Sequence, residues 1–324
     1  MDARRPQRLL AGLALGALAP VAMLSACSAG SSRPKGGLVA EVASYDLAVG
    51  PPGRFIVGLL AADQRPIGYG TVTTRFCILG TGSGTACSYG APATASFLAI
   101  PGTAPPHPAP RSPQLVDAAT QRGVYGVQVG FDRPGSWQVE VAANVGGRAY
   151  RATAAFTVSD RHQVPAVGDP ALPTQNLTLT SPGAAPAAID SRATSVADVP
   201  DPQLHTTTIA RALAAHRPIV AVFATPVYCI SRFCGPVTDL VAALASTYRD
   251  RASFVHVEIW QDFQNQQLND AAKRWLLEST GDLQEPWVFV IGADGRIVAR
   301  FDNVVTRDEL EPLLAALPRI GTGP

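Results

Sequence analysis

One short stretch limits the possible folds more than any other part of the chain. Pro218-Ile219-Val220-Ala221-Val222-Phe223 is a continuous apolar, β-branched run, the pattern of a strand buried on both faces. Val237, Leu240, Val241, Leu244 and Tyr248 follow at helical spacing. Cys229 and Cys234 stand between, on the turn where a central strand passes into a helix. A helix N-terminus offers unpaired N–H groups and the positive end of its dipole, and both favour a thiolate over a thiol. The expectation is an α/β unit with sulfur chemistry at its strand–helix turn.

The remaining cysteines set the compartment. There are five in all, at 27, 77, 87, 229 and 234. Cys27 closes Leu24-Ser25-Ala26-Cys27, which resembles the lipobox of bacterial lipoproteins. Arg4, Arg5 and Arg8 precede an apolar run from Leu9 to Met23 that is too short to span a membrane. Residues 1–26 therefore read as a lipoprotein signal peptide. Residues 27–37 read as a lipid-bearing Cys27 and a small, polar tether. The expected location is the extracytoplasmic face of a bacterial cell membrane, held there by the lipid.

Export makes cysteine pairing the default. Cys77 and Cys87 are close in sequence, and Gly80-Thr81-Gly82-Ser83-Gly84 can fold back between them. No helix start or basic cluster adjoins them, so they are expected to form a structural disulfide.

Composition narrows the class. A chain of 324 residues suggests two domains once the signal is removed. The 26 basic and 25 acidic residues nearly balance. Loss of Asp2, Arg4, Arg5 and Arg8 leaves 23 against 24. There is no basic field to attract nucleic acid.

Residues 38–158 carry short β-like runs and no helical period. The runs are Val39–Leu47, Arg54–Leu60, Gly70–Leu79, Ser96–Ile100, Gly123–Phe131, Trp137–Ala143 and Ala149–Val158. Arg133-Pro134-Gly135-Ser136 between two of them reads as a hairpin turn. Such spacing suggests an all-β, immunoglobulin-like sandwich, a spacer or docking module. Residues 159–205, rich in Pro, Ala, Asp and Ser, read as a linker leading into the next domain. Order returns over 206–320. Thr206 to His216 reads as a helix, Ser253–Trp260 as a strand and Asn269–Leu277 as a helix. Trp287–Ile291 and Arg296–Phe301 read as strands, and a final helix is capped by Thr306.

The segment from about Val167 to Leu317 resembles the thioredoxin superfamily, nearest to its exported TlpA-like members. Val167-Gly168-Asp169-Pro170-Ala171 is similar to their opening segment, and Phe223 to Cys229 to the strand leading to their nucleophilic cysteine. Glu285-Pro286 stands where that family keeps a cis-proline facing its cysteines, and Gly295 fits the closing hairpin. The resemblance implies an α/β thioredoxin-like domain that exchanges thiols and disulfides without a cofactor. It implies Cys229, Cys234 and Pro286 at the catalytic centre, with Arg232, Glu285 and Trp287 meeting the partner. The family has two residues between its cysteines, whereas Ile230-Ser231-Arg232-Phe233 makes four here.

That departure leaves two registers. In the favoured one Cys229 is the exposed nucleophile and Cys234 resolves. In the other, Phe233-Cys234-Gly235-Pro236-Val237 mimics Trp-Cys-Gly-Pro-Cys, and Cys229 resolves. Val222 stands where many thioredoxins bury a proton-shuttling acid. His256 is either a base for the second thiol or a core histidine. A carboxylate on Glu285 would oppose a neighbouring thiolate. Copper chaperones of this fold need a downstream histidine that the chain lacks, so no metal is expected. Pro226 replaces the hydroxyl that peroxiredoxins need. The expected partners are exported proteins with thiols or disulfides, and a membrane thiol reductase. The alternative is a non-catalytic surface lipoprotein whose thioredoxin-like module only binds, with Cys229 and Cys234 as a structural disulfide.

Overall fold

A computed structural model describes residues 36–80, 87–103, 108–119 and 122–320. Cys27, the signal segment and most of the tether lie outside the described residues. The chain is β-rich with few helices, and its described residues fall in one compact unit. Among the described residues no helix is long and apolar enough to cross a membrane.

Seven strands build the first sheet: β1 (Leu38–Val42), β2 (Gly50–Ala61), β3 (Thr71–Ile78), β4 (Ala93–Ala99), β5 (Gly123–Phe131), β6 (Gly135–Val145) and β7 (Arg148–Val158). All pairings are antiparallel, in the order β1-β2-β5-β4-β3-β6-β7. The sheet folds over its own core. Phe55 on β2 meets Phe156 on the far-edge strand β7 at 5.1 Å, and Phe76 and Phe131 close the same aromatic cluster. Such tilted and edge-on pairs stabilise the core beyond the area they bury.

The Arg133–Ser136 turn is not a hairpin. β5 and β6 are not neighbours in the sheet, so this turn carries the chain across the core edge, where Phe131 packs edge-on against Trp137 at 5.1 Å. Alternation in both flanking runs mimics a hairpin, because each strand has its own buried face. The tight hairpin lies one strand later. Gly146 and Gly147, with φ of 60° and 80°, join β6 to β7 in the conformation that two-residue turns require.

The second sheet has four strands: β8 (Ile219–Ala224), β9 (Ser253–Glu258), β10 (Trp287–Ile291) and β11 (Ile297–Asp302). Their order is β9-β8-β10-β11, with β8 parallel to β9 and the rest antiparallel. Every residue of β8, β9 and β10 is buried, because helices cover both faces. Val220, Val222 and Ala224 face α3 (Cys234–Tyr248) and α5 (Arg307–Ala316). The alternate residues Ile219, Ala221 and Phe223 face α2 (Ile209–Ala214) and α4 (Asp270–Leu276). The period of two along one apolar strand thus feeds two cores. Thr208, Asn269 and Thr306 cap their helices through side-chain oxygens, and Glu309 completes a capping box with Thr306.

Two stretches differ from expectation. Strand pairing ends at Val42 rather than Leu47, and the freed residues reach the second sheet. Tyr45 N–H donates to Asp302, and Asp46 pairs with Arg300 at 2.8 Å. Residues 159–205 are no plain linker. They hold α1 (Pro186–Ile189) and turns at Val196–Asp198 and Pro202–His205, and they bury Asp190, Ser191 and His205. Side-chain bonds rather than apolar periodicity order this stretch, as where Asp198 caps Thr194 and Ser195, so composition hides it. A buried ion pair also ties the sheets, Arg54 reaching Asp302 at 3.2 Å and Glu309 at 2.8 Å.

Candidate active site

β8 ends at Ala224 and the chain turns through Pro226 and Tyr228 before α3 begins at Cys234. Tyr228 stacks flat on Phe263 at 3.8 Å, which pins the start of the turn. Phe233 packs with Ile56, Ile100, Val124 and Val304, so the first sheet holds the other end. Arg232 adopts a left-handed φ of 61°, a conformation that costs a side-chain-bearing residue energy unless its surroundings impose it.

This turn brings Cys229 and Cys234 into a disulfide with Cα atoms 6.0 Å apart, within the normal span of such bonds. Cys234 is fully buried, whereas Cys229 is half-buried. The backbone N–H of Cys234, first residue of α3, donates to Cys229 Sγ at 3.3 Å, and Ser231 Oγ lies 3.3 Å from the same sulfur. The helix terminus therefore points its partial positive charge at the more accessible sulfur. Ile230 is 99% exposed and Val227 is 53% exposed, an apolar rim beside that sulfur.

The loop before β10 supplies the opposite wall. The Glu285–Pro286 peptide bond is cis. A carboxylate oxygen of Glu285 and the two sulfurs all lie within 4.8 Å of one another. Tyr45 Oη donates to the Glu285 carbonyl at 2.7 Å, so the segment that follows β1 also braces this wall. Burial, helped by the nearby Glu258, pushes the Glu285 carboxyl up to about 8, and its Oε2 is buried without a hydrogen-bond partner. At neutral pH Glu285 is therefore a neutral acid facing the sulfurs, not the carboxylate expected from its side chain alone.

The other expected residues divide. Pro286 is buried behind Glu285. Arg232 is exposed, and no ion pair or hydrogen bond among the described residues joins it to either cysteine. Trp287 is only 2% exposed, stacked on Phe289 with the Arg300 guanidinium 5.3 Å over its ring. It supports the wall from the core, and the expectation that it meets the partner is corrected. His256 lies wholly inside, with Nε2 3.0 Å from the Ala224 carbonyl and Nδ1 toward Asp190, so it takes the core arrangement rather than serving a thiol. Cys77 and Cys87 form the second disulfide, with Cα atoms 5.8 Å apart and, among the described residues, no helix terminus beside them.

Tyr45, Asp190 and His205 were not legible as site residues. Asp190 and His205 come from a stretch without periodicity and Tyr45 from a run read only as a strand, and packing alone brings them near the cysteine turn. No protein-family model matches the chain, and no curated protein matches it.

Proposed function

We propose that this chain is a membrane-anchored, extracytoplasmic thiol–disulfide oxidoreductase with a thioredoxin-like α/β domain, nearest in kind to TlpA-like proteins. The observation that carries the reading is the Cys229–Cys234 disulfide at the N-terminus of α3, with Glu285 within 4.8 Å of both sulfurs. Apart from the short strand pair Trp260–Asp262 and Gln267–Leu268, the order of strand, cysteine turn, helix, strand, helix, strand, strand and helix over 219–316 supports it. We read the curled antiparallel sheet as an immunoglobulin-like sandwich that braces one wall of the site through Ile56, the segment after β1 bracing the other through Tyr45.

In the reducing direction the Cys229 thiolate attacks one sulfur of a partner disulfide, and the other partner sulfur leaves as a thiolate. The Cys234 thiolate then attacks Cys229 Sγ and expels the second partner sulfur. One S–S bond breaks in the partner and one forms here, and two electrons pass to the partner. The two protons lost by the chain's thiols are taken up by the two departing sulfurs. The oxidising direction is the reverse. The half-buried Cys229 beside a helix-terminal N–H suits the attacking role, and the buried Cys234 suits resolution. Partners would be exported proteins with thiols or disulfides, and a membrane thiol reductase for recharging.

The test is equilibration of the folded protein with dithiothreitol and glutathione buffers, followed by insulin reduction. The pair is expected to open with the fold intact, at a potential in the range of exchange proteins rather than structural bonds, and insulin is expected to be reduced. A pair that stays closed while the protein is folded, with no insulin turnover, would support the binding-module alternative. Membrane fractionation of a Cys27→Ser variant tests the anchor, since retention with lipid labelling would refute it.

A further inference from the structure

A second set of ligating side chains is buried beneath the cysteine turn. Asp190 comes from the end of α1, His205 from the turn Pro202–His205 and His256 from β9. All three side chains are 0% exposed. Their facing oxygen and nitrogen atoms lie within 4.8 Å of one another.

The distances are too long for good hydrogen bonds, and the shorter one matches the spacing of ligands around a tetrahedral ion while the longer is a few tenths of an ångström wider. Asp190 Oδ2 is 3.4 Å from His256 Nδ1 and 3.7 Å from His205 Nε2. A good N–H···O bond spans about 2.7–3.2 Å. Ligands held about 2.0–2.1 Å from a tetrahedral zinc ion stand about 3.3–3.4 Å apart. Among the described residues, both ring nitrogens of His205 and Nδ1 of His256 lack a hydrogen-bond partner. Burial of three such nitrogens without partners is costly. The far nitrogen of His256, Nε2, is 3.0 Å from the Ala224 carbonyl, the contact by which ligating imidazoles are commonly oriented.

Asp190 Oδ2 accepts from Arg192 Nη2 at 2.8 Å, so a cation would take its remaining lone pair, and Asp201 and the largely exposed Asp239 draw on the same guanidinium.

We propose that Asp190 Oδ2, His205 Nε2 and His256 Nδ1 bind a divalent transition-metal ion of the zinc class. Two imidazoles and one carboxylate favour such an ion over magnesium or calcium. With no exposed surface, the site fills as the chain folds, so metal binding adds to folding free energy. Its effect would reach the redox turn through Ser191, whose Oγ accepts from Val227 N–H at 3.2 Å. The ion would then hold in place the turn that presents Cys229, and take no part in electron transfer.

The test uses the full chain with its disulfides intact, unfolded with a chelator and refolded with Zn²⁺ or Co²⁺. About one metal ion per chain is expected after desalting. The cobalt form should show the d–d absorption of a four-coordinate nitrogen and oxygen site, one water completing the three protein ligands, without thiolate charge transfer. The Cys229→Ser/Cys234→Ser variant should bind equally, and His205→Gln should lose at least about tenfold in affinity. Metal content below about 0.1 ion per refolded wild-type chain would overturn the proposal. So would binding that is lost with the cysteines or unchanged in His205→Gln. If His205→Gln does not refold, the cobalt spectrum of the cysteine variant decides: a nitrogen and oxygen spectrum supports the site, and its absence overturns it.

Discussion

The two disulfides of this chain differ less in accessibility than in what their sulfurs face. Each pairs a buried cysteine with a half-buried one: Cys77 with Cys87, Cys234 with Cys229. Exposure alone would give them the same role. Cys77, however, lies within β3, opposite Gln138 of β6, so its sulfur sits in a sheet, and among the described residues no helix terminus is directed at it. Cys229 receives a helix-terminal N–H, faces the Glu285 acid and borders the exposed Ile230. A thiolate that can form, a group able to exchange its proton and an apolar landing surface are what exchange requires. Among the described residues none of these adjoins the first bond, so under the proposed function it is the staple.

The strongest way to break this comparison is to remove one sulfur from each pair. Cys234→Ala should trap mixed disulfides through Cys229 and abolish multiple-turnover insulin reduction, whereas Cys77→Ala should trap nothing. Trapping is read on non-reducing gels. Trapping by Cys229→Ala through Cys234 instead would reverse the roles of the two cysteines.

Next comes the joint between the two sheets. Arg54 is buried against Asp302 and Glu309, with side-chain exposures of 10%, 8% and 22%. Arg54→Met leaves Asp302 buried without its cation, and loss of one partner from a buried pair costs about 3–5 kcal/mol. Calorimetry should show one unfolding transition, lowered as a whole. Two separated transitions, with the α/β part unmoved, would show that the two disulfides sit in independent units.

Third is the staple itself. The Cys77–Cys87 bond closes a loop with a sequence separation of 10. The chain-entropy relation gives about 2–3 kcal/mol for a loop of that size. Cys77→Ala should lower stability in urea by that amount while exchange activity is retained. Loss of activity in a folded variant would mean that the first disulfide also serves the site.

How much of this was readable in sequence follows from periodicity. The run 219–223 and the helix from Cys234 stand out because one is apolar throughout and the other repeats at 3.6 residues. Thr306 with Glu309 is legible as a capping box. The strands of the first sheet alternate, so they too are visible, but their neighbours are not. Alternation marks a buried face without saying which strand lies beside it, which is why Arg133–Ser136 resembled a hairpin. Asp190 and His205 were illegible because side-chain hydrogen bonds and ion pairs, not apolar spacing, hold their segment. Glu285 was visible as a residue, but its charge state depends on burial and on Glu258, which no local pattern carries.

The smallest expected effect concerns that acid, and it separates the two disulfides by pH. In the fold Glu285 titrates near 8, raised by burial and then by Glu258, against an ordinary value of 4.5. Between those values the folded chain binds a proton that the unfolded chain releases. The cost of ionising Glu285 in the fold is thus absent below 4.5 and grows as pH rises toward 8. Wild-type stability should fall across that window relative to Glu285→Gln, whose side chain cannot ionise. The thiol should respond in the same sense. Once ionised, Glu285 opposes a thiolate on Cys229, so Glu285→Gln should lower the Cys229 pKa by about one unit or less. Wild-type thiolate absorbance should rise in two coupled steps and the variant's in one. Reactivity of Cys77 and Cys87, after reduction, should be the same in both proteins, since neither belongs to the cluster formed by Glu285 and the other two sulfurs. Superimposable thiol titrations, together with parallel stability profiles from acid to pH 8, would remove Glu285 from the chemistry and leave it as part of the wall.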